Sequence, residues 1–238
     1  MKIIILSKTN YKEKDCIYNA LSENEFFSFQ AKGAQDNKSP FVWLNNQLTV
    51  ADIELMEDGR YKHKLLKTAS LVATPFESGS SFEHLVTISA LAEITKSVLL
   101  DEEKPLLFAD LLEAMEALKT GKDPLMILLI FIARALRKAG TELEVDKCVS
   151  CGTTHDIVAF SFSDGGFLCR KCINQETKFD LLPKQMKLVR YAFKAKDYSC
   201  YKSEEYESTD KIYVINKFKE FIDEYLGVNL TSLNLLLK

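Results

Sequence analysis

Glycine and proline are scarce in this 238-residue chain, at nine and five. With hydrophobic residues at 47% and charged residues at 27%, that scarcity excludes both a low-complexity disordered chain and a fibrous repeat. Histidine is scarcer still. None of the three (His63, His84, His155) stands beside a Ser or Cys in a nucleophile motif. Gly-rich phosphate loops, His-Glu-x-x-His patterns and paired-carboxylate motifs are missing as well, so the sequence offers no enzyme active site. Glu113 and Glu116, at helical spacing, read as a solvated face rather than an acid/base pair. Long apolar runs are also lacking. The longest is PLMILLIFIA at 124–133, which Arg134 ends well short of the roughly 18 to 20 residues that a membrane span needs, so it predicts a buried core helix. The N-terminus has only four consecutive apolar residues and no small-residue cleavage site, which predicts a cytosolic protein without a secretion signal.

A net charge of −3 gives no global pull toward nucleic acid, but the charge is uneven. Residues 79–147 hold 8 Lys or Arg against 12 Asp or Glu, whereas residues 170–196 hold 8 basic side chains against Glu176 and Asp180 alone. A local basic surface is available on a slightly acidic whole.

Cysteine is the residue present with a pattern. Four of the six lie in CVSCGTTHDIVAFSFSDGGFLCRKC (148–172), and a cytosol that keeps thiols reduced makes metal a better explanation than disulfides. Cys148 and Cys151, then Cys169 and Cys172 after 17 intervening residues, fall inside the zinc-ribbon spacing. Two residues between thiols let one tight turn aim both sulfurs at a single ion, and Gly152 suits the left-handed position of such a turn. Between the pairs, alternation at Val158, Phe160 and Phe162, a turn at Asp164-Gly165-Gly166 and a return through Phe167 and Leu168 predict a hairpin. Four thiolates close the tetrahedron, so the expectation is one structural Zn²⁺ ion rather than a catalytic one. His155 reads as a surface residue. Neither Cys pair opens a helix after a strand, which disfavours dithiol redox chemistry. Cys16 and Cys200 read as a buried strand residue and a loop thiol.

The first 75 or so residues alternate like strands at 2–8, 15–21, 26–34, 47–56 and 61–72, separated by turn formers at 22–24, 36–40 and 57–59. Five short strands suit a small barrel. The OB-fold is the commonest example, and an SH3-like barrel fits the pattern almost as well. Helices are predicted at 82–100, 105–119, 124–139, 183–196 and 210–226, with a polar link at 196–209. The third is the clearest: Asp123 as N-cap, Pro124 at the first position, Arg137 and Lys138 in the last turn and Gly140 beyond. The fold class is therefore α+β and multi-domain: a five-stranded barrel at 1–76, then a helical domain at 77–238 carrying a zinc-ribbon insertion at 146–175.

Two basic features remain. Lys187, Arg190 and Lys194 share one face of the fourth helix beside an apolar stripe of Met186, Val189 and Phe193. That layout suits phosphates or an acidic peptide, and it equally suits a charged solvent face over a core. In the barrel, Lys8, Lys12, Lys14, Lys32, Lys38, Arg60, Lys62, Lys64 and Lys67 interleave with Tyr11, Phe27, Phe29, Trp43 and Tyr61, as in OB-folds that stack single-stranded bases. Phe27 and Phe29 share a face and read as core, leaving Trp43 and Tyr61 as the freer aromatics.

Nearly the whole chain resembles the bacterial RecO recombination-mediator family. The resemblance rests on the first strand leading into KTNYKEKD (8–15), on AKGAQDNKS (31–39), on the CVSCG and FSDGGFLCRKC halves of the ribbon, and on YLGVNLTSLNLLL (225–237). It implies a non-enzymatic DNA-repair protein, cytoplasmic and nucleoid-associated. Such a protein binds single- and double-stranded DNA, anneals complementary strands, contacts the acidic C-terminal tail of the single-strand-binding protein and acts with RecR to help load RecA. The OB-fold is the implied DNA surface, with Lys8, Lys12, Lys14, Lys32 and Lys38 at the matching positions. Arg170 and Lys171, between the last two thiols, are further DNA or partner candidates. The chain departs from the family after the KGA turn, where Gln35 and Asp36 replace the usual cations; that substitution predicts weaker binding and a flatter salt dependence. An adaptor whose main ligands are proteins is the alternative. There the Lys187, Arg190 and Lys194 face receives the anionic tail, with Met186 and Phe193 near the tail's apolar end.

Overall fold

The structure is a computed structural model describing residues 1–56, 64–76, 80–200 and 202–237. The expected turn at 57–59 and the candidates Arg60, Tyr61, Lys62 and His63 lie outside the described residues, as does Tyr201 of the polar link. The chain divides into two compact units, Met1–Thr120 and Gly121–Lys238.

The first unit opens with five strands: β1 (Lys2–Tyr11), β2 (Asp15–Leu21), β3 (Phe26–Ala31), β4 (Val50–Met56) and β5 (Lys64–Ala73). They close into a barrel in the order β1-β2-β3-β5-β4, with β4 returning to β1. All pairs are antiparallel except β3 with β5. That order selects the OB-fold over the SH3-like alternative. Side chains two apart on each strand fill the interior: Ile3 and Ile5, then Cys16, Tyr18 and Ala20, then Phe29 and Ala31, then Ala51 and Ile53. The Tyr18 and Phe29 rings stack at 5.4 Å. The connection from β3 to β4 folds a single 3-10 turn (Val42–Asn45) onto this core. Leu44 is fully buried there, and Tyr18 donates its hydroxyl to Asn45 at 2.8 Å. Two helices complete the unit: α1 (Phe82–Ser97), capped by Ser81 and lying against β1, and α2 (Phe108–Lys119). Both are shorter than the sequence pattern predicts, because the intervening chain turns at 101–103 and enters a 3-10 turn at Lys104–Leu107. Lys104 is nearly buried, paired with Asp101 at 2.5 Å and lying 4.1 Å above the Phe26 ring.

The second unit is built around α3 (Pro124–Lys138), whose residues Leu125 to Ala133 are all buried, so it is a central helix rather than a one-sided one. Asp123 caps it, accepting the Met126 amide at 3.0 Å. Two further helices, α4 (Pro183–Lys194) and α5 (Ser208–Leu226), pack on α3 and on each other. Arg134 and Arg137 of α3 donate to the carbonyls of Lys196 and Phe193, satisfying the end of α4. A hairpin of β6 (Ile157–Ser161) and β7 (Gly166–Cys169) joins them. The hairpin is anchored in the unit's core at its turn end. Phe160 meets Phe162 and Phe167 edge-on, and Phe162 meets Phe218 at 5.3 Å and Phe221 at 5.6 Å. Asp180 fixes it further, donating its amide to the Phe160 carbonyl and accepting the Phe162 amide. A last 3-10 turn, Thr231–Leu237, holds the tail and had no predicted element. Among the described residues, no helix is long and apolar enough to cross a membrane.

Candidate functional site

Among the described residues, three places gather side chains with chemistry. The first is at the open end of the β6–β7 hairpin, where Cys148, Cys151, Cys169 and Cys172 bring their sulfurs within 4.8 Å of one another. Local turns do the aiming. Gly152, at φ +75°, returns its amide to the Cys148 carbonyl at 2.8 Å, and Ile173 does the same to Cys169 at 3.2 Å, so the two knuckles are built alike. Ala159, Leu168, Ile157 and Ile173 form a small apolar floor beneath the sulfurs. Burial alone would raise the Cys148 thiol. Backbone amides at Cys169, Cys151 and Ser150 outweigh it and lower Cys148 to about 6. Hydrogen bonds to Cys151 and Cys169 push Cys172 the other way, up to about 12. Four thiolates within 4.8 Å of one another would repel strongly, and a bound cation would relieve that repulsion.

The donor set fits one. A metal–sulfur distance of about 2.3 Å in a tetrahedron places sulfurs roughly 3.8 Å apart, and Cys151 and Cys169 are at 3.7 Å. Four sulfurs in this geometry suit zinc or iron, and the four cysteines would hold the ion with no position left for substrate. His155 is exposed and outside the cluster. Cys16 and Cys200 are buried elsewhere; burial, then the nearby Asp123 charge, pushes Cys200 up to about 12. Arg170 and Lys171 are exposed on the second knuckle.

The second place is one end of the barrel. Cys16 pairs with Ala31 and Tyr11 with Asp15, so the β1–β2 turn and the loop after β3 emerge side by side. Lys12 and Lys14 lie on the turn, Lys32 and Lys38 on the loop, and all four are exposed. Lys8 is exposed further along β1, opposite Tyr18. Lys12, at φ +53°, stands 5.2 Å from the Tyr11 ring. Trp43 is half-buried: its ring packs against the barrel core and its N–H is donated to the Pro40 carbonyl at 2.7 Å.

On α4, Lys187, Arg190 and Lys194 do share an exposed face. Asp146 lies between Arg190 (3.0 Å) and Lys194, and the Lys194 hydrogen bond holds its carboxyl below the usual carboxylate range. Nothing in the local sequence signals that partner, which comes from 44 residues away. Met186 and Phe193 are 8% and 2% exposed, so they belong to the core and cannot receive the apolar end of a peptide.

A family profile described as "Recombination protein O C terminal" matches residues 79–234. The chain belongs to the RecO family. Proteins named DNA repair protein RecO are similar to this RecO-family chain over most of its length. That of Halalkalibacterium halodurans is 28% identical over 231 residues, covering 96% of this chain and 90% of the relative. That of Acetivibrio thermocellus is 28% identical over 73% of this chain and 70% of its own. That of Shouchella clausii is 33% identical over 66% and 64%. Membership supports a role in DNA repair, and the barrel, the helices and the thiol cluster are the parts this RecO-family chain brings to it.

Proposed function

We propose that the protein is a recombination mediator that works by binding rather than catalysis, in the cytoplasm at the nucleoid. The barrel end carrying Lys12, Lys14, Lys32 and Lys38, with Lys8 nearby, holds the phosphates of single- and double-stranded DNA. Arg170 and Lys171 add a contact from the ribbon. Zn²⁺ in the four-cysteine site is structural and fixes that knuckle. Bound strands are annealed, and RecR and the single-strand-binding protein act with it to load RecA. The observation that carries the reading is the convergence of four exposed lysines from two loops at one barrel end, because phosphate contacts dominate sequence-independent DNA affinity. The test is binding of a labelled single-stranded oligonucleotide, with annealing of its complement, by wild type and by K12A/K14A/K38A. Loss of both activities in the variant is expected; full retention of both would overturn the reading.

A specific observation favours a second role for α4. A carboxylate already lies between Arg190 and Lys194, so the same face suits the acidic tail of the single-strand-binding protein in place of Asp146. Charge reversal at Arg190 should abolish tail-peptide binding while DNA binding persists. Tail binding unchanged in R190E would remove this role.

A further inference from the structure

Gln35 and Asp15 look unhelpful among lysines, one neutral and one acidic, yet their side chains join the two lysine-bearing loops. Gln35 donates its side-chain amide to the Asp15 carbonyl at 2.6 Å and to the Lys12 carbonyl at 3.3 Å, and its backbone amide to the Lys14 carbonyl at 3.0 Å. Every acceptor is on the β1–β2 turn or at the first residue of β2. Asp15 answers in the opposite direction. Its carboxylate accepts the Gly33 amide at 2.9 Å and the Gln30 side-chain amide at 2.7 Å, both from β3 and the loop that follows. Gly33, at φ +68°, presents that amide from the left-handed conformation that glycine adopts freely. Asp36 then turns the loop onward, accepting the Lys38 amide at 2.9 Å. The clasp thus fixes the backbone at or beside Lys12, Lys14, Lys32 and Lys38.

We infer that Asp15 and Gln35 are positioning residues for polyanion binding: they hold the two loops in register so that their lysines meet one phosphate track together. The inference rests on the reading of this barrel end as the DNA surface. It reverses the sequence-level expectation that Gln35 only weakens binding. A cation at position 35 would add one charge to the surface, whereas Gln35 orders the turn that carries Lys12 and Lys14 against the loop that carries Lys32 and Lys38. Holding two loops pre-organised removes an ordering cost that binding would otherwise carry.

The charge and the hydrogen bonds of Asp15 can be separated. D15N and D15A remove the same charge, but Asn keeps an acceptor oxygen for the Gly33 amide and, once the Gln30 side-chain amide turns over to present its oxygen, a donor for Gln30, whereas Ala keeps neither. Pure electrostatics predicts that both tighten binding. The clasp predicts that D15N binds at least as tightly as wild type while D15A binds less tightly than D15N. Q35M changes no charge, keeps the side-chain volume and loses the donor. Binding of the full-length variants to a labelled single-stranded oligonucleotide at fixed salt, below each variant's melting temperature, gives the answer. D15A against D15N, and Q35M against wild type, should each differ by about fivefold, a loss typical of breaking a coupled network. A merely structural role would lower the melting temperature and leave the affinity of the folded protein unchanged. Should D15A fail to fold, Q35M and Q35A carry the test alone. K12A/K38A separates the two levels. If it binds weakly while Q35M matches wild type and D15A matches D15N, the clasp is overturned and the DNA surface stands. If K12A/K38A binds like wild type, the DNA surface fails and the clasp falls with it.

Discussion

Replacing Gly166 by Ala should damage the cysteine hairpin far more than replacing its neighbour Gly165. Gly166, at φ +147°, forms a one-residue parallel bridge with Glu144, which lays the chain entering the first knuckle along β7. A methyl group there would lie 2.8 Å from the Glu144 nitrogen and 2.9 Å from its carbonyl carbon, and nearer still to its carbonyl oxygen. These are backbone atoms, so no side-chain rotation relieves the clash. Segment 142–146 must move away, breaking the bonds from the Glu144 amide to Gly165 and from the Phe167 amide to Glu144, both 2.9 Å. Two net hydrogen bonds at about 1 kcal/mol each, plus about 1–3 kcal/mol for alanine at that φ, give about 3–5 kcal/mol. G165A, at φ +85° with nothing within 4 Å of the added carbon, carries backbone strain alone, about 1–2 kcal/mol. Urea unfolding of both variants measures the difference, and metal release to a colorimetric chelator should be faster in G166A, because Val149 of the first knuckle also bonds to Phe167. A G166A stability within about 0.5 kcal/mol of wild type, the range of an ordinary surface change, would refute the reasoning.

Replacing Cys151 or Cys169 by Ser should release the metal and unfold the knuckles, lowering solubility, since bound zinc can contribute about 10–16 kcal/mol of coupled folding and binding. The aromatic anchor at Phe160 and Phe162 should keep the far end of the hairpin in place. Hydrogen exchange would then show fast amides at 147–157 and 168–173 with α3 still protected; unchanged protection at the knuckles would contradict a metal staple. Lys211, with a side chain 4% exposed, pairs with Asp123 at 2.5 Å and reaches Ser203 at 2.9 Å, so K211M should cost about 3 kcal/mol by leaving Asp123 without its cation. Burial raises the Asp123 carboxyl, but hydrogen bonds from Lys211, Ser203 and the Met126 amide outweigh it, and the net direction is down. The contribution of the Asp123–Lys211 pair is therefore present above the ordinary aspartate value and lost as pH falls through the lower folded one. Acid unfolding followed by circular dichroism should show wild type and K211M converging at low pH; a constant gap would contradict the pairing.

Much of this was legible in the sequence because it is local or periodic. The barrel interior follows a period of two through Cys16, Tyr18 and Ala20, and the two knuckles depend on spacing that one turn enforces. The α3 boundaries follow from Asp123, Pro124 and Gly140. What escaped is pairing between distant segments. Glu144 and Gly166 make a single bridge with no alternation to reveal it, and Gly166 reads only as a turn residue. Asp146 meets Arg190, and Asp123 meets Lys211 88 residues later, with no local pattern to announce either. The half-burial of Trp43 was hidden too, because it depends on the 3-10 turn at Val42–Asn45 folding back onto the core. Met186 and Phe193 had the right stripe, but a stripe does not say which side a partner approaches.

The central claim is that the barrel-end lysines hold DNA through its phosphates. The salt dependence of binding to a single-stranded oligonucleotide tests it most directly. Each phosphate contact contributes about −0.7 to the slope of log affinity against log salt, so five lysines predict about −3.5, and K12A/K14A should flatten it by about 1.4. Affinity indifferent to salt, or a slope unchanged by the double substitution, would contradict the account.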